Sequence, residues 1–413
     1  MSRKAVEIVM KQTGELALHW QVLIAAFIGL LFSSGPLIVY SFGVFFQPLT
    51  AEFNWSRTEI AGALTFSQLG LAAAGPVHGY LIDKLGVRPL LVFSIVSLGM
   101  ALGSLYWLTP SLIHLYLCFI LMNVLGASAS PLGYSRIIVG LFDRRRGLAL
   151  GIALSGVGLG AMIFPPLVQQ LISNFGWRSA YAALGIAAFI PLLFNYWLFN
   201  SSGSSSSAPT RPDTSIKPSS DSATSKSNPR TFILLTVIFT ALGFVSVGIF
   251  AHFIPLLTDS GIARKDAVWL AGVIGLSVVL GRAGIGWLID TMHAPFVMSV
   301  IALGLMLACW LLGAHPAGFT LWIAAVLLGL GLGAEVDLLS FLVSRYWPAY
   351  LFGTIYGPLF GMFMVGTGVG PLMIGLLYDW RGDYQLALSA AAGCALLVAV
   401  LCLLLPKYAE RGA

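Results

Sequence analysis

Three charged residues lie inside long apolar stretches of this sequence, where a charge is costly unless something pairs with it. They are Arg282, Glu335 and Asp337. A guanidinium can hold a carboxylate through two parallel hydrogen bonds, which makes Arg282 a candidate anchor for a small organic anion. A buried carboxyl can take up and release a proton, and Glu335 and Asp337 are candidates for that role.

The spacing along the chain places these charges at similar depth. Arg282 precedes Asp290 by eight residues, and the same interval separates Asp337 from Arg345. Eight residues of α-helix span about 12 Å, so both charges lie well inside the ends of their helices. Alternatively, Arg282 pairs permanently with Asp337 or Glu335 and serves packing alone. The sequence leaves both interpretations open.

The composition indicates that the apolar stretches face lipid. Of 413 residues, 58% are hydrophobic and 9% are charged, whereas a soluble domain carries about 25% charged residues. The net charge of +6 lies in short segments between apolar runs, which argues against a nucleic-acid-binding surface. The four cysteines all fall inside apolar stretches and are interpreted as small core residues rather than disulfide or zinc ligands.

A membrane-spanning helix needs about 20 apolar residues, and twelve stretches meet that requirement. They are predicted at 19–47, 57–80, 88–109, 111–135, 146–171, 176–199, 231–257, 266–288, 294–314, 318–343, 351–377 and 384–405. Residues 200–230 are rich in Ser, Thr and Pro and are predicted to form a flexible linker. The fold class is therefore an all-α membrane protein with six-helix bundles at 19–199 and 231–405, and with tails at 1–18 and 406–413.

The distribution of Lys and Arg predicts the orientation. These residues concentrate in one alternate set of connecting segments, which includes both tails and the linker. Basic residues are enriched in cytoplasmic loops. Both termini and the linker are therefore expected in the cytoplasm.

The two halves repeat each other. The triplet Glu59, Gly79 and Asp83 recurs at identical spacing as Asp266, Gly286 and Asp290. Five glycines of helix five recur at identical spacing in helix eleven, where Gly147, Gly151, Gly156, Gly158 and Gly160 correspond to Gly357, Gly361, Gly366, Gly368 and Gly370. Such glycines allow helices to pack closely and to slide when bundles rock against each other.

The loop after the second helix reads Gly79-Tyr-Leu-Ile-Asp83-Lys84-Leu-Gly86-Val-Arg88. It resembles the loop signature of the major facilitator superfamily, and Asp290 marks a weaker copy in the second half. The resemblance covers nearly the whole chain and implies a transporter that alternates access to a central site. The predicted gating residues are Asp83, Lys84, Arg88, Asp290 and Arg145.

A motif in helix eight indicates which family within the superfamily the chain resembles. Arg282-Ala-Gly-Ile-Gly286 and the stretch 141–156 resemble motifs of the monocarboxylate transporter family. The chain looks like a bacterial member, close also to oxalate–formate exchangers, which implies that Arg282 binds the substrate carboxylate. Animal members have an aspartate four residues before this arginine and a lysine on helix one; Val278 and Tyr40 stand there in this chain. We therefore hypothesise that Glu335 or Asp337 takes over proton binding.

Further residues are expected around the central cavity, because helices four, five and eleven line it in the superfamily. Asn123 is an amide in mid-helix, and Tyr40 can donate a hydrogen bond. Apolar residues could select a short hydrocarbon tail, although ordinary helix packing explains them equally well. The predicted substrate-binding residues are Arg282, Tyr40, Asn123, Leu154, Ser155, Phe360 and Phe363.

These observations predict a secondary transporter that moves a small monocarboxylate such as lactate or pyruvate together with a proton. An organic-anion exchanger is the first alternative, and drug efflux is disfavoured. A membrane-embedded enzyme or an ATP-driven pump is also disfavoured, because the chain has no Gly-x-Ser-x-Gly elbow, zinc spacing or phosphate-binding loop. We expect a functional monomer in the bacterial inner membrane that uses no cofactor or metal and binds no nucleic acid.

Overall fold

The computed structural model describes residues 14–55, 57–200, 229–314 and 318–408, and every regular element in these ranges is a helix. Most of the predicted linker, at 201–228, lies outside the described residues. We number the long helices α1 to α12 in chain order. They are α1 Trp20–Phe53, α2 Arg57–Leu85, α3 Val87–Ser104, α4 Leu112–Leu141, α5 146–175, α6 177–200, α7 Pro229–Asp259, α8 Arg264–Thr291, α9 Ala294–Gly313, α10 Phe319–Tyr346, α11 Phe352–Arg381 and α12 Gln385–Leu403.

Ten stretches are long and apolar enough to cross a membrane. One of them contains both α5 and α6, which meet at Gly176, where φ is 80° and the helix is interrupted. The 29-residue α2 completes the set of twelve in the described chain. Several helices continue beyond the predicted ends, because hydropathy marks where the apolar run stops and backbone hydrogen bonding carries on further. Helix α1, for example, was expected to end at residue 47 and reaches Phe53.

Helix α1 changes its winding in the middle. A π-helical turn at Gly35–Val39 separates the regular segments Trp20–Leu31 and Phe42–Phe53. Pro36 cannot donate a backbone hydrogen bond, and the hydroxyl of Ser41 donates to its carbonyl at 3.1 Å. The irregular turn brings Tyr40 to a position where 44% of its surface is exposed.

Helix α4 is also interrupted, by a 3-10 turn at Ala127–Ala129. Ser130 then caps a new segment, Pro131–Leu141, by accepting from the backbone N–H of Leu132 at 3.3 Å, and Pro131 occupies the first helical position. This second segment positions Arg136.

Close glycine contacts join the two bundles. A side chain on Gly147 of α5 would collide with the backbone carbonyl of Gly286 on α8. In the same way, Gly357 of α11 lies against the carbonyl of Gly75 on α2. The duplicated glycines thus make duplicated contacts, α5 with α8 and α11 with α2, as close helix approach requires.

The third glycines of the two series, Gly156 and Gly366, pack within their own bundles, whereas Gly158 lies against Val279 of α8 in the other bundle. Gly156 faces the carbonyl of Phe27 on α1, and its counterpart Gly366 faces the carbonyl of Thr240 on α7. Each of the two repeated helices therefore has one small-residue stretch for the opposite bundle and one for the first helix of its own bundle.

The bundles are joined at one end of the molecule. We call this end the terminal face, because Glu15 and Tyr408, which lie near the two ends of the described chain, are both found there. One apolar core runs through the second bundle and the terminal half of the first, while a separate core fills the far end of the first bundle. Further along α8, a Cβ atom added to Gly272 or Gly275 would meet no atom of the described chain within 4 Å. The bundles thus separate towards the face opposite the terminal face.

Large apolar side chains cover the outside of the helices. Among them, Leu193 is 76% exposed, Ile186 72% and Trp310 63%. Exposed apolar surface of this extent is unfavourable in water and normal for helices that contact lipid. The protein is an integral membrane protein that crosses the bilayer many times.

Candidate functional site

Arg282 and Asp337 form an ion pair inside the second bundle. Arg282 Nη1 donates to Asp337 Oδ1 at 2.8 Å, and the two residues are 6% and 0% exposed. The sequence left open whether Arg282 pairs with an internal carboxylate, and the structure shows this pair with Asp337. Breaking a buried pair by removing one partner costs about 3–5 kcal/mol, so each charge stabilises the other.

The pair uses only part of the bonding capacity of both groups. Arg282 Nε and Asp337 Oδ2 are buried and have no hydrogen-bond partner among the described residues. A guanidinium and a carboxylate that face each other fully make two parallel hydrogen bonds. The single contact therefore leaves Arg282 with a donor, and Asp337 with an oxygen, for another ligand or for a proton.

Arg282 lies where the two bundles meet. Gly151 of α5 packs directly against the backbone carbonyl of Arg282, and a side chain at position 151 would collide with it. Ser155 lies one helical turn further along α5, half-buried, with its hydroxyl donating to the carbonyl of Ile152 at 2.6 Å. The backbone of Arg282 therefore lies at the contact between the two bundles.

Tyr40 is brought close to this pair by the irregular turn of α1. Its phenol interacts electrostatically with both Arg282 and Glu335. Tyr40 belongs to the first bundle, so the polar cluster draws on both halves of the protein.

Glu335 lies on a different side of α10 from Asp337, because two residues correspond to about 200° around a helix. It is 3% exposed, is hydrogen-bonded to Ser246 of α7 and interacts electrostatically with Arg282. Its Oε1 atom is buried without a hydrogen-bond partner in the described part of the chain.

The other predicted substrate residues are packed inside helix interfaces. Asn123 is 1% exposed, and its side-chain N–H group donates to the hydroxyl of Ser67 on α2 within the first bundle. Leu154, Phe360 and Phe363 are between 1% and 4% exposed, and Phe360 stacks on Tyr356. In this conformation these side chains act as packing residues, which is the interpretation that the sequence left equally open for the apolar ones.

Asp83 of α2 caps the start of α11 in the other bundle. Its carboxylate accepts from the backbone N–H groups of Gly353 at 3.0 Å and Thr354 at 2.6 Å. Arg136 of α4 lies 3.5 Å from the same carboxylate. A negative charge at a helix N-terminus is favourable, because unpaired N–H groups point outwards there. We call this contact the α2–α11 clamp.

Asp290 of α8 makes the corresponding contact with α5. It accepts from the backbone N–H groups of Gly147 at 2.7 Å and Leu148 at 2.9 Å, and it interacts electrostatically with Arg345 and Arg146. We call this contact the α8–α5 clamp. Each clamp joins one bundle to the other at the terminal face.

The basic residues predicted around the clamps have different positions. Lys84 lies over the ring of Tyr80 at 5.7 Å, and the side chains of Arg88 and Arg145 are exposed. The buried basic residues next to the clamps are Arg136 and Arg146, which are 9% and 5% exposed.

Arg146 is among the groups that link the bundles and that the sequence did not reveal. It donates to the hydroxyl of Ser344 on α10 at 3.0 Å, and Arg345 donates to the carbonyl of Asp143 at 3.4 Å. The run of three arginines marks this loop in the sequence, but only the fold shows which of them turns inwards.

A carboxylate from the chain start also reaches this loop. Glu15 accepts from the backbone N–H groups of Asp143, Arg144 and Arg145 at 3.0–3.3 Å. The start of α5 is therefore held by two carboxylates, Glu15 from its own bundle and Asp290 from the other.

A sequence model of the Major Facilitator Superfamily matches residues 22–360. The chain belongs to this superfamily. Monocarboxylate transporter 13 of Rattus norvegicus is 29% identical over 407 residues, covering 94% of this chain and 89% of that protein. An MFS-type transporter of Bacillus subtilis, YcxA, is 25% identical over 371 residues, covering 84% and 86% of the two chains.

Solved structures share the fold. The transporter FucP of E. coli in its outward conformation aligns with a TM-score of 0.73 and 14% identity, covering 94% of this chain and 98% of that one. The resemblance of the loop at 79–88 to the superfamily is thus confirmed, and the similarity to monocarboxylate transporters extends over nearly the whole chain. This superfamily member is a transporter rather than an enzyme.

Proposed function

We propose that this transporter carries small monocarboxylates of the lactate and pyruvate type together with a proton, by alternating access. The observation that carries the proposal is the buried Arg282–Asp337 pair, with one unused donor on Arg282 and one unused oxygen on Asp337, on a stretch of α8 whose backbone packs against α5 of the other bundle. The likeness to monocarboxylate transporters supports the choice of substrate.

Coupling follows from charge balance at the pair. When Asp337 takes a proton, Arg282 loses its counter-charge and can receive the carboxylate of the substrate in both arms of its fork. When the substrate leaves, Asp337 must release its proton to neutralise Arg282 again. The guanidinium thus always faces one carboxylate, and neither the proton nor the anion moves alone. Glu335 is the other carboxyl for which the sequence suggested a proton-binding role.

The state of the clamps determines from which side of the membrane substrate can reach the central site. Lys and Arg predict that the terminal face is cytoplasmic, so the present conformation is closed to the cytoplasm and separates towards the outside. Substrate would enter from outside, and the bundles would then rock until the carboxylates of Asp83 and Asp290 leave the helix starts that they cap. Gating by these two residues, a monomeric working unit and a location in the bacterial inner membrane belong to the same proposal.

Uptake by proteoliposomes tests the proposal. Purified protein is reconstituted and given labelled lactate, pyruvate, oxalate and formate, with and without an imposed inward proton gradient. We expect lactate and pyruvate uptake that the gradient accelerates. Counterflow of organic anions without any effect of the gradient would instead establish an exchanger, and lack of uptake of every acid would refute the substrate class.

A further inference from the structure

Glu335 is a second buried carboxyl beside Arg282, and the coupling scheme needs only one. Arg282 supplies one positive charge, which Asp337 already balances. Among the described residues, the neutral phenol of Tyr40 on α1 also interacts electrostatically with Glu335, and α7 presents the hydroxyl of Ser246. An ionised Glu335 would therefore be a buried charge without a counter-charge of its own, which folded proteins avoid.

The contacts of Ser246 are compatible with a proton on Glu335. The Ser246 hydroxyl has a single hydrogen and two acceptors within reach, the carbonyl of Leu242 at 2.9 Å and the carboxyl group of Glu335. When that hydrogen points to Leu242, Ser246 accepts from Glu335. Glu335 can donate only as a carboxylic acid, because an ionised carboxylate has acceptors alone.

A protonated Glu335 still has one oxygen that can accept a further hydrogen bond. Its hydroxyl oxygen is bonded to Ser246, and its carbonyl oxygen, Oε1, is buried without a partner among the described residues. The cluster thus contains a donor fork on Arg282 for a carboxylate and, beside it, an unused acceptor. A substrate that fits both has a hydroxyl next to its carboxylate.

We propose that Glu335 keeps its proton throughout the transport cycle and selects 2-hydroxy acids over 2-oxo acids by accepting a hydrogen bond from the substrate hydroxyl. The inference rests on the proposed function for its transport readout, and it assigns proton coupling to Asp337 alone. A buried acceptor rejects an analogue that cannot donate to it, because the acceptor then stays unsatisfied.

Infrared spectroscopy tests the protonation without any transport assay. In substrate-free protein at about pH 8, where an ordinary carboxyl is ionised, the carbonyl stretch of a protonated carboxylic acid should be present. It should disappear in Glu335→Gln and persist in Asp337→Asn and in the control Asp266→Asn, whose carboxyl is exposed at the start of α8. Absence of the band in the wild-type protein would overturn the proposal.

Uptake competition tests the selectivity. Glu335→Leu should lower the preference for a 2-hydroxy acid over the matching 2-oxo acid by about tenfold, the value of one hydrogen bond. Glu335→Gln should restore this preference, because the amide of Gln also donates to Ser246 and keeps a carbonyl acceptor.

Loss of the proton-gradient effect in Glu335→Gln would show that Glu335 carries the transported proton and would overturn the assignment. Absence of acid uptake by the wild-type protein would refute the proposed function, whereas the infrared result would still decide the protonation of Glu335.

Discussion

The clamp at the terminal face occurs twice, once in each half of the chain, whereas the buried Arg282–Asp337 ion pair occurs once. Asp83 and Asp290 both accept from two consecutive N–H groups at the start of a helix in the opposite bundle. Eight residues before Asp290 stands Arg282, and eight residues before Asp83 stands Gly75. Equivalent positions in the two halves are thus occupied by the charged residue Arg282 in the second half and by the packing glycine Gly75 in the first.

Under the proposed function, this difference separates the part of the protein that moves from the part that binds. A rocking motion needs similar contacts on both sides of the axis, which the duplication supplies. A small anion needs only one strong anchor, and a second arginine at position 75 would add a buried charge without a partner. Variants of Arg282, of the two clamps and of Glu15 should therefore have effects that decrease in this order.

Replacing the anchor should have the largest effect. Arg282→Ala removes the fork and leaves Asp337 without its counter-charge, so we expect saturable acid uptake to be lost. Because the buried pair is broken, we also expect the free energy of unfolding to fall by about 3–5 kcal/mol unless Asp337 becomes protonated. Uptake at saturating substrate and thermal unfolding in detergent measure the two effects.

The matched control is Arg381→Ala, which removes an exposed arginine at the end of α11. It should transport like the wild-type protein. Wild-type affinity in Arg282→Ala would contradict the assignment of the anchor.

Weakening one clamp should have a smaller effect, and the two clamps should differ. Asp83→Asn removes the charge on the α11 start, and we expect the fraction of molecules open at the terminal face to rise about fivefold. Asp290→Asn should change that fraction less, because Arg146 still donates to Ser344 and Arg345 to the carbonyl of Asp143 across the same interface. Distances between spin labels at Leu85 and Ala349, in a protein without its native cysteines, measure the open fraction.

Asp266→Asn serves as the control for the loss of one acidic group. Equal effects of Asp83→Asn and Asp290→Asn would show that the contacts of Arg146 and Arg345 do not help to keep the bundles together.

Removing the charge of Glu15 should have the smallest effect. Glu15→Gln alone should change the open fraction by less than about twofold, because Glu15 contacts the loop before α5 within its own bundle and does not cross the interface. Its combinations with Asp290→Asn and with Asp83→Asn should both be additive. The same spin-label pair measures the single and combined variants, and a more than additive opening with Asp290→Asn would contradict this assignment of Glu15 to its own bundle.

Much of the fold follows from the sequence, because its determinants are local. Apolar runs predict the twelve helices, and the copies of Asp83 and of the glycine series predict which elements make equivalent contacts. The partners of Asp83 were not predictable, since they are backbone groups 270 residues away in the chain.

The site was predictable only in part. The depth of Arg282 and Asp337 follows from helix geometry, but their pairing depends on the rotation of α10 about its axis. Packing sets this rotation, and it directs Asp337 to Arg282 and Glu335 to Ser246. The role of Asn123 stays a prediction, and its contact with Ser67 on α2 could not be predicted from the sequence because the two residues are 56 positions apart.

Proton uptake on substrate binding tests the central claim most directly. Purified protein in weakly buffered detergent solution is mixed with lactate, and a pH indicator records the protons taken up for each molecule bound. We predict one proton per lactate for the wild-type protein and none for Asp337→Asn, which carries a neutral side chain at this position from the start. Lactate binding without proton uptake by the wild-type protein, or undiminished proton uptake by Asp337→Asn, would contradict the exchange of carboxylates on Arg282.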